Sequence, residues 1–261
     1  MGNSMIGFFL KKAFFDGWDN LISLAIMNLG FIVLLLGFLS LPAMLGEHPL
    51  LVITTVVLLI LLLHLYAGGV AVSTSNFLEG RSIEFRAFFS NILSVWKVSV
   101  VFGAISSLQV VLLAVGFPFY LSIGGLIGLS AVSVLFWFSV FWNLVSLWIF
   151  PVRVQLDGTI RGVLKKSIYL SLDNPGFTVF LSLYTLFNLV LSFITAFLIP
   201  GVSSILLSHQ IAMKLRLYKY NYLEEHPDAD RKRIPWDALL IDEKEKVGQR
   251  TLRGMIFPWK E

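Results

Sequence analysis

Hydrophobic positions along this chain come in long unbroken blocks. Six stand out, at residues 21–45, 50–77, 98–117, 122–150, 176–199 and 202–220. A helix needs about 20 mainly apolar residues to cross a bilayer. The pattern therefore predicts an all-α, polytopic membrane protein with six transmembrane helices. Turn signals at Gly46, Pro118 and Pro200-Gly201 pair the helices into three hairpins. The sixth block is the least apolar, because it holds Ser203, Ser204, Ser208, His209 and Gln210 and its purely apolar part ends at Met213.

Polar positions supply the orientation. The chain has 20 Lys and Arg. They fall at Lys11 and Lys12, at Arg81, Arg86 and Lys97, at Arg153, Arg161, Lys165 and Lys166, and from Lys214 onward. The turns near Gly46, Pro118 and Pro200 carry none. Cytoplasmic loops are enriched in Lys and Arg, so a six-crossing chain with both termini inside puts every cation on one side. A sixth crossing is needed for this, since otherwise Lys214, Arg216 and Lys219 would lie outside; Lys214 and Arg216 can snorkel from a helix end. The organisation read this way is a cytoplasmic amphipathic N-terminus at 1–20, a membrane domain at 21–220 and a charged cytoplasmic tail at 221–261.

Composition narrows the class. Hydrophobic residues make up 57% and charged residues 14%, against roughly 25% charged in soluble domains. The mean hydropathy is +0.82. The net charge of +4 suits the anionic headgroups of a cytoplasmic leaflet, so a nucleic-acid partner is not needed to explain it. With no cysteine, disulfides, thiolate metal sites and cysteine nucleophiles are all excluded. Block 21–45 is too long for a signal-peptide core, and Ile6 stands where a myristoylation signal wants Ser or Thr.

The shorter segments read as interfacial. Phe85, Phe88, Phe89, Ile92 and Trp96 recur at helical spacing, and Gly162, Val163, Ile168 and Leu172 flank Lys165 and Lys166; such stretches lie in the headgroup plane. Three Leu-acid pairs and three basic-small-apolar-aromatic tetrads recur roughly every 75–80 residues, the spacing of a decayed triplication or of chance composition. In the tail, residues 237–247 could form a short charged helix, and Ile256, Phe257 and Trp259 form an aromatic end suited to docking.

Chemistry is sparse. No acid or base falls at the centre of a block, where ion-coupled transporters usually keep one. The intramembrane polar residues are Asn28, His64, Gln109, Asn143, Asn188, His209 and Gln210, side chains that commonly bridge helices. Two distant histidines without cysteine make no metal spacing, so no metal or other cofactor is expected. Small residues at Gly69 and Ser73, and at Gly124 and Gly128, suit close helix packing. No phosphate loop, nucleophile elbow, HExxH pair or dinucleotide fingerprint occurs, and the chain is not read as an enzyme.

The stretch Phe150-Pro151-Val152, then Leu156 to Ile160, Leu164-Lys165-Lys166-Ser167 and Asn174-Pro175 with Thr178, resembles the YesL-like family. So do Gly69 and Ala71 through Glu79-Gly80, and Phe85-Arg86-Ala87-Phe88-Phe89. These are small bacterial integral membrane proteins of unassigned activity. The chain departs from the family after Pro42, where Glu47-His48 replaces a small-residue run. The resemblance implies a multi-pass protein of the bacterial inner membrane, a non-enzymatic accessory or assembly component, linked to carbohydrate uptake through a transporter subunit. The alternative is a stand-alone small-solute transporter or channel, with the polar residues lining a path between helices.

Overall fold

The computed structural model describes residues 2–81, 85–231, 233–248 and 250. Every regular element among them is helical. In chain order these are α1 (Gly2–Asp19), α2 (Leu21–Met44), α3 (Pro49–Leu78), α4 (Phe85–Val111), a π-helical turn (Leu112–Gly116), α5 (Phe117–Ile123), α6 (Gly125–Gln155), α7 (Ile160–Asp173), α8 (Pro175–Ile194), α9 (Gly201–Glu225), α10 (Trp236–Leu239) and α11 (Ile241–Val247).

Five helical stretches are long and apolar enough to cross a membrane: α2, α3, 87–123, α6 and α8. Helix α9 is not among them. The third stretch runs past Pro118 instead of turning there. A proline inside a helix lacks an N–H and crowds the carbonyl four residues back. The π-helical turn just before it widens the helix where that conflict arises. The chain reverses at Gly124 and Gly125, whose φ values of 65° and 60° are open to glycine. The expected Gly124/Gly128 packing stripe is thus a reversal: Gly124 has nothing near it, while Gly128 sits against the Tyr120 carbonyl.

The segment expected to lie at the interface from Phe85 is the start of α4. Phe88 and Ile92 turn toward Gly69 of α3, and Phe89 and Trp96 are exposed. Helix α7 forms as expected, with Thr159 accepting from Gly162 N at its N-cap (3.2 Å), and it buries Val163, Ser167 and Leu170.

Helices α3 and α4 make the closest pair, because Gly68, Gly69 and Gly103 leave room for Ser99, Ile92 and Leu61 of the partner helix. Helix α2 packs on α3, α3 on α4, and α6 on both α3 and α4, and these four helices form the bundle. Its core is confined to one end. The buried residues of α2 are Leu24, Met27, Asn28 and Phe31, all in its first half, and those of α3 cluster from Ala67 to Phe77. Beyond Phe31, α2 exposes Val33, Leu36, Leu39 and Met44.

Helices α1, α8 and α9 lie across that end. Ser203 of α9 meets α2, as Oγ donates to Leu24 O (2.9 Å), and Gln210 meets α3, as Nε2 donates to Ala71 O (3.1 Å). Gln155 at the end of α6 donates to Gln210 Oε1 (2.7 Å). One helix thus touches three bundle helices in succession. The two ends of α8 obey the same rule: Thr178 meets Trp148 of α6, and Ser192 meets Gly201 beside Asn28 of α2. Both contacts lie within about 14 Å of the same bundle end at 1.5 Å per residue, although α8 itself is about 30 Å long. The α8–α9 turn consequently sits about 24 Å short of the far end of α2. The weak hydropathy of α9 goes with its burial against other helices, which covers Ser203 and the stretch from Ile205 to Met213.

Candidate functional site

The expected polar residues do not converge. Asn28 holds the α8–α9 turn. Its amide donates to Leu198 O (2.8 Å) and Pro200 O (3.0 Å), and its Oδ1 accepts from Ser203 N (2.9 Å). Gly201 N is bound by Ser192 Oγ (3.0 Å). His64 Nδ1 lies 2.8 Å from Ile60 O of its own helix, and its ring meets Phe102 edge-on. Gln109 and Asn143 both donate to Ser139 O, at 3.4 and 2.8 Å. Asn188 donates to Tyr184 O (2.8 Å). His209 Nε2 lies 2.8 Å from Thr185 Oγ1, whose hydrogen is committed to Leu181 O. Gln210 bridges α3 and α6. Apart from Gln109 and Asn143, which share Ser139 O, each polar group meets a neighbour at its own place in the fold, and bonds of this kind average roughly 0.6 kcal/mol in membranes. Of the small residues, Gly69 and Ser73 do lie in the α3–α4 contact, where Asn91 donates to Ser73 Oγ (3.1 Å).

Two ionic clusters tie down the transverse layer. On α11, Glu243 is buried, with a side-chain exposure of 1%, among Lys12 (3.0 Å), Lys214 (2.8 Å) and Lys246 (3.3 Å), and Tyr218 OH donates to it (3.1 Å). Burial alone would raise this carboxyl; the Lys214 hydrogen bond and the Lys12 charge outweigh it and hold the pKa at about 2. Lys12 is held above its usual value: burial acts downward, and Asp16 and Glu243 more than offset it. Asp16 is raised, chiefly by burial, against the pull of Lys12.

The second cluster centres on Asp173 and Asn174 at the α7–α8 junction. Asp173 accepts from Lys219 (3.2 Å), Tyr220 OH (2.7 Å) and Arg231 (3.1 Å). Its carboxyl lies below the ordinary value, since burial is outweighed by Tyr220 and Lys219. Asn174 Oδ1 takes hydrogen bonds from Arg216 (3.1 Å) and Lys219 (2.9 Å). Arg216 is buried and forms no ion pair among the described residues; its guanidinium lies 4.2 Å from the Phe177 ring and 5.2 Å from Trp236. Cation–π contact stabilises such a charge where water is excluded.

Sequence patterns singled out neither Glu243 nor Asp173, because charge runs look alike whether solvated or docked. Arg216 does carry a signal, as a cation among buried apolar neighbours of a helix. The expected docking of Ile256, Phe257 and Trp259 lies outside the described residues; residues 236–248 do dock on α1 and α9, as two short helices.

A cleft of about 730 Å³ opens between α1, α8 and the first turn of α2. Leu24, Leu191 and Pro200 line it together with Lys11 and Arg250. Among the described residues no group of three or more His, Asp or Glu side chains gathers to hold a metal. No family model, curated protein or solved structure shows significant similarity to the chain.

Proposed function

We propose that the chain is a bacterial inner-membrane scaffold, a non-enzymatic accessory or assembly component with both termini in the cytoplasm. One observation carries the reading. The seven intramembrane polar side chains bond locally, His64, Asn143 and Asn188 to a carbonyl of their own helix and Asn28, Gln109, His209 and Gln210 to a neighbouring segment, which is how a rigid support is built and not how a conduction path is lined. Among the described residues these side chains line no common cavity, which favours the support over the stand-alone transporter. The resemblance to the YesL-like family supports the same role and suggests a carbohydrate-uptake transporter subunit as the client.

In this reading the membrane holds four complete crossings, α2, α3, α4–α5 and α6. The α8–α9 hairpin enters from the basic side and turns near Asn28. Either this arrangement or six crossings keeps the cations of α9 on the same face as Lys11 and Arg153, whereas five crossings would separate them. The supporting surface is the transverse layer, whose ionic clusters fix α1, α9 and α11 together.

Co-purification at native expression after in-cell crosslinking tests the role. Recovery of a transporter subunit in stoichiometric amount is expected, and proteoliposomes of the chain alone should stay impermeable to sugars and ions. Solute flux through the isolated protein, or clean purification without any partner under crosslinking, would refute it.

A further inference from the structure

We infer that the cleft between α1 and α8 is a binding site for one anionic phospholipid, an acyl chain lying in the cleft and the phosphate meeting Lys11. The lining comes first. Ala13, Phe14, Leu21, Leu24, Phe187 and Leu191 supply its walls. Its uncharged polar side chains are few: Ser204 donates to Pro200 O, one amide hydrogen of Asn188 goes to Tyr184 O, and the Tyr184 hydroxyl and Trp18 indole complete the set. A sugar or other polar solute would find most of its groups unanswered there, at roughly 1–3 kcal/mol for each. A hydrocarbon chain would lose nothing. The volume is within the roughly 300–1,000 Å³ that holds a single small-molecule ligand.

Access comes from the bilayer. The helix faces that flank the mouth expose Phe14 and Trp18 on α1, and Leu183, Phe187 and Val190 on α8. These cover the membrane side of the layer, and a Trp at such a level is typical of the interface. An occupant therefore arrives from lipid.

Charge selects the headgroup. Lys11 Nζ donates to Gly248 O (2.9 Å) and makes no ion pair among the described residues. Beside it, Arg250 is matched by Asp19 (2.8 Å), so Lys11 is the unbalanced cation of the lining. A phosphate there would balance it, at a place where the chain of the same molecule can reach the apolar walls.

The test uses the full-length protein in detergent, with native mass spectrometry to count bound phosphatidylglycerol against phosphatidylcholine of the same chains. Gly17 lines the cleft and its Cβ position has nothing within 4 Å, so Gly17→Phe starts a ring into the cleft from a position with room for its Cβ. The wild type should retain one phosphatidylglycerol, and Gly17→Phe should lose it. Lys11→Ala should lower the preference for phosphatidylglycerol about fivefold, as one interfacial lysine contributes. Lys165→Ala, an exposed cation on α7, should change nothing, and inorganic phosphate should not displace the lipid. Retention unchanged in both cleft variants overturns the proposal, as does an equal loss in Lys165→Ala. Binding that appears only after removal of residues 251–261 also overturns it, by giving the cleft to the chain's own tail. Should Gly17→Phe fail to fold, Lys11→Ala decides the matter.

Discussion

The Asn28–Gly201 contact permits a quantitative test of how the transverse hairpin is held. Asn28→Ala removes partners from two carbonyls and one N–H of the α8–α9 turn, a loss of about 2 kcal/mol if each bond is worth the membrane average. Gly201 has φ of 64°, so Gly201→Ala costs about 1–2 kcal/mol in backbone strain. Its new Cβ would also collide with the Asn28 amide, adding about 1–3 kcal/mol of overpacking. The two losses are not independent. In the double variant the amide is gone and only the backbone strain of Gly201→Ala remains, so the combined loss should fall short of the sum by at least about 1 kcal/mol. Equilibrium unfolding in mixed detergent–SDS micelles, measured on all four proteins, gives the coupling directly. Distant sites add within about 0.5 kcal/mol. Additivity of this pair would refute the claim that Asn28 and Gly201 form one clamp.

Two further outcomes follow from the same structure. Glu243 is held at about pH 2 by its lysines; because the folded value lies below the ordinary one, its contribution is present above about pH 4.5 and lost as pH falls toward 2, on the order of 3 kcal/mol. Glu243→Gln should flatten that part of the stability-against-pH curve, and an unchanged curve would show the cluster to be inert. The chain has no native cysteine, so single-cysteine labelling is direct: an impermeant maleimide applied outside intact cells should modify Glu47→Cys and leave Leu198→Cys unmodified, whereas equal labelling would mean that the α8–α9 turn reaches the far side.

Much of the architecture was legible in the sequence because lipid imposes a simple rule, that backbone polar groups be satisfied within a helix. Blocks 21–45 and 50–77 differ from α2 and α3 by only a residue or so at each end. The third and fourth blocks were divided at Pro118, where proline ordinarily marks a stop; the π-helical turn absorbs it and moves the reversal to Gly124 and Gly125. Orientation within the layer was not legible. Helix α8 has the length and hydropathy of a crossing helix, and composition cannot distinguish a helix standing in the bilayer from one lying in it, as the arrangement proposed above has it. The distinction rests on partners remote in sequence, such as Trp148 with Thr178 and Asn28 with Pro200. The seven polar candidates all fall on helices, with Asn143 exposed and the other six buried or half-buried, but whether they meet depends on helix rotation, which periodicity alone does not fix in a block apolar on all sides.

Confining the core to one end also gives the molecule a taper. In the proposed bilayer setting, four rods occupy the outer leaflet, while the inner leaflet accommodates the same rods together with α1, α8 and α9. The footprint is therefore larger on the cytoplasmic side, and lipids around the slender outer end must fill the space that the broad base denies to those beneath. Such a wedge sits with least strain where the membrane bulges toward the cytoplasm or where inner-leaflet lipids have small headgroups.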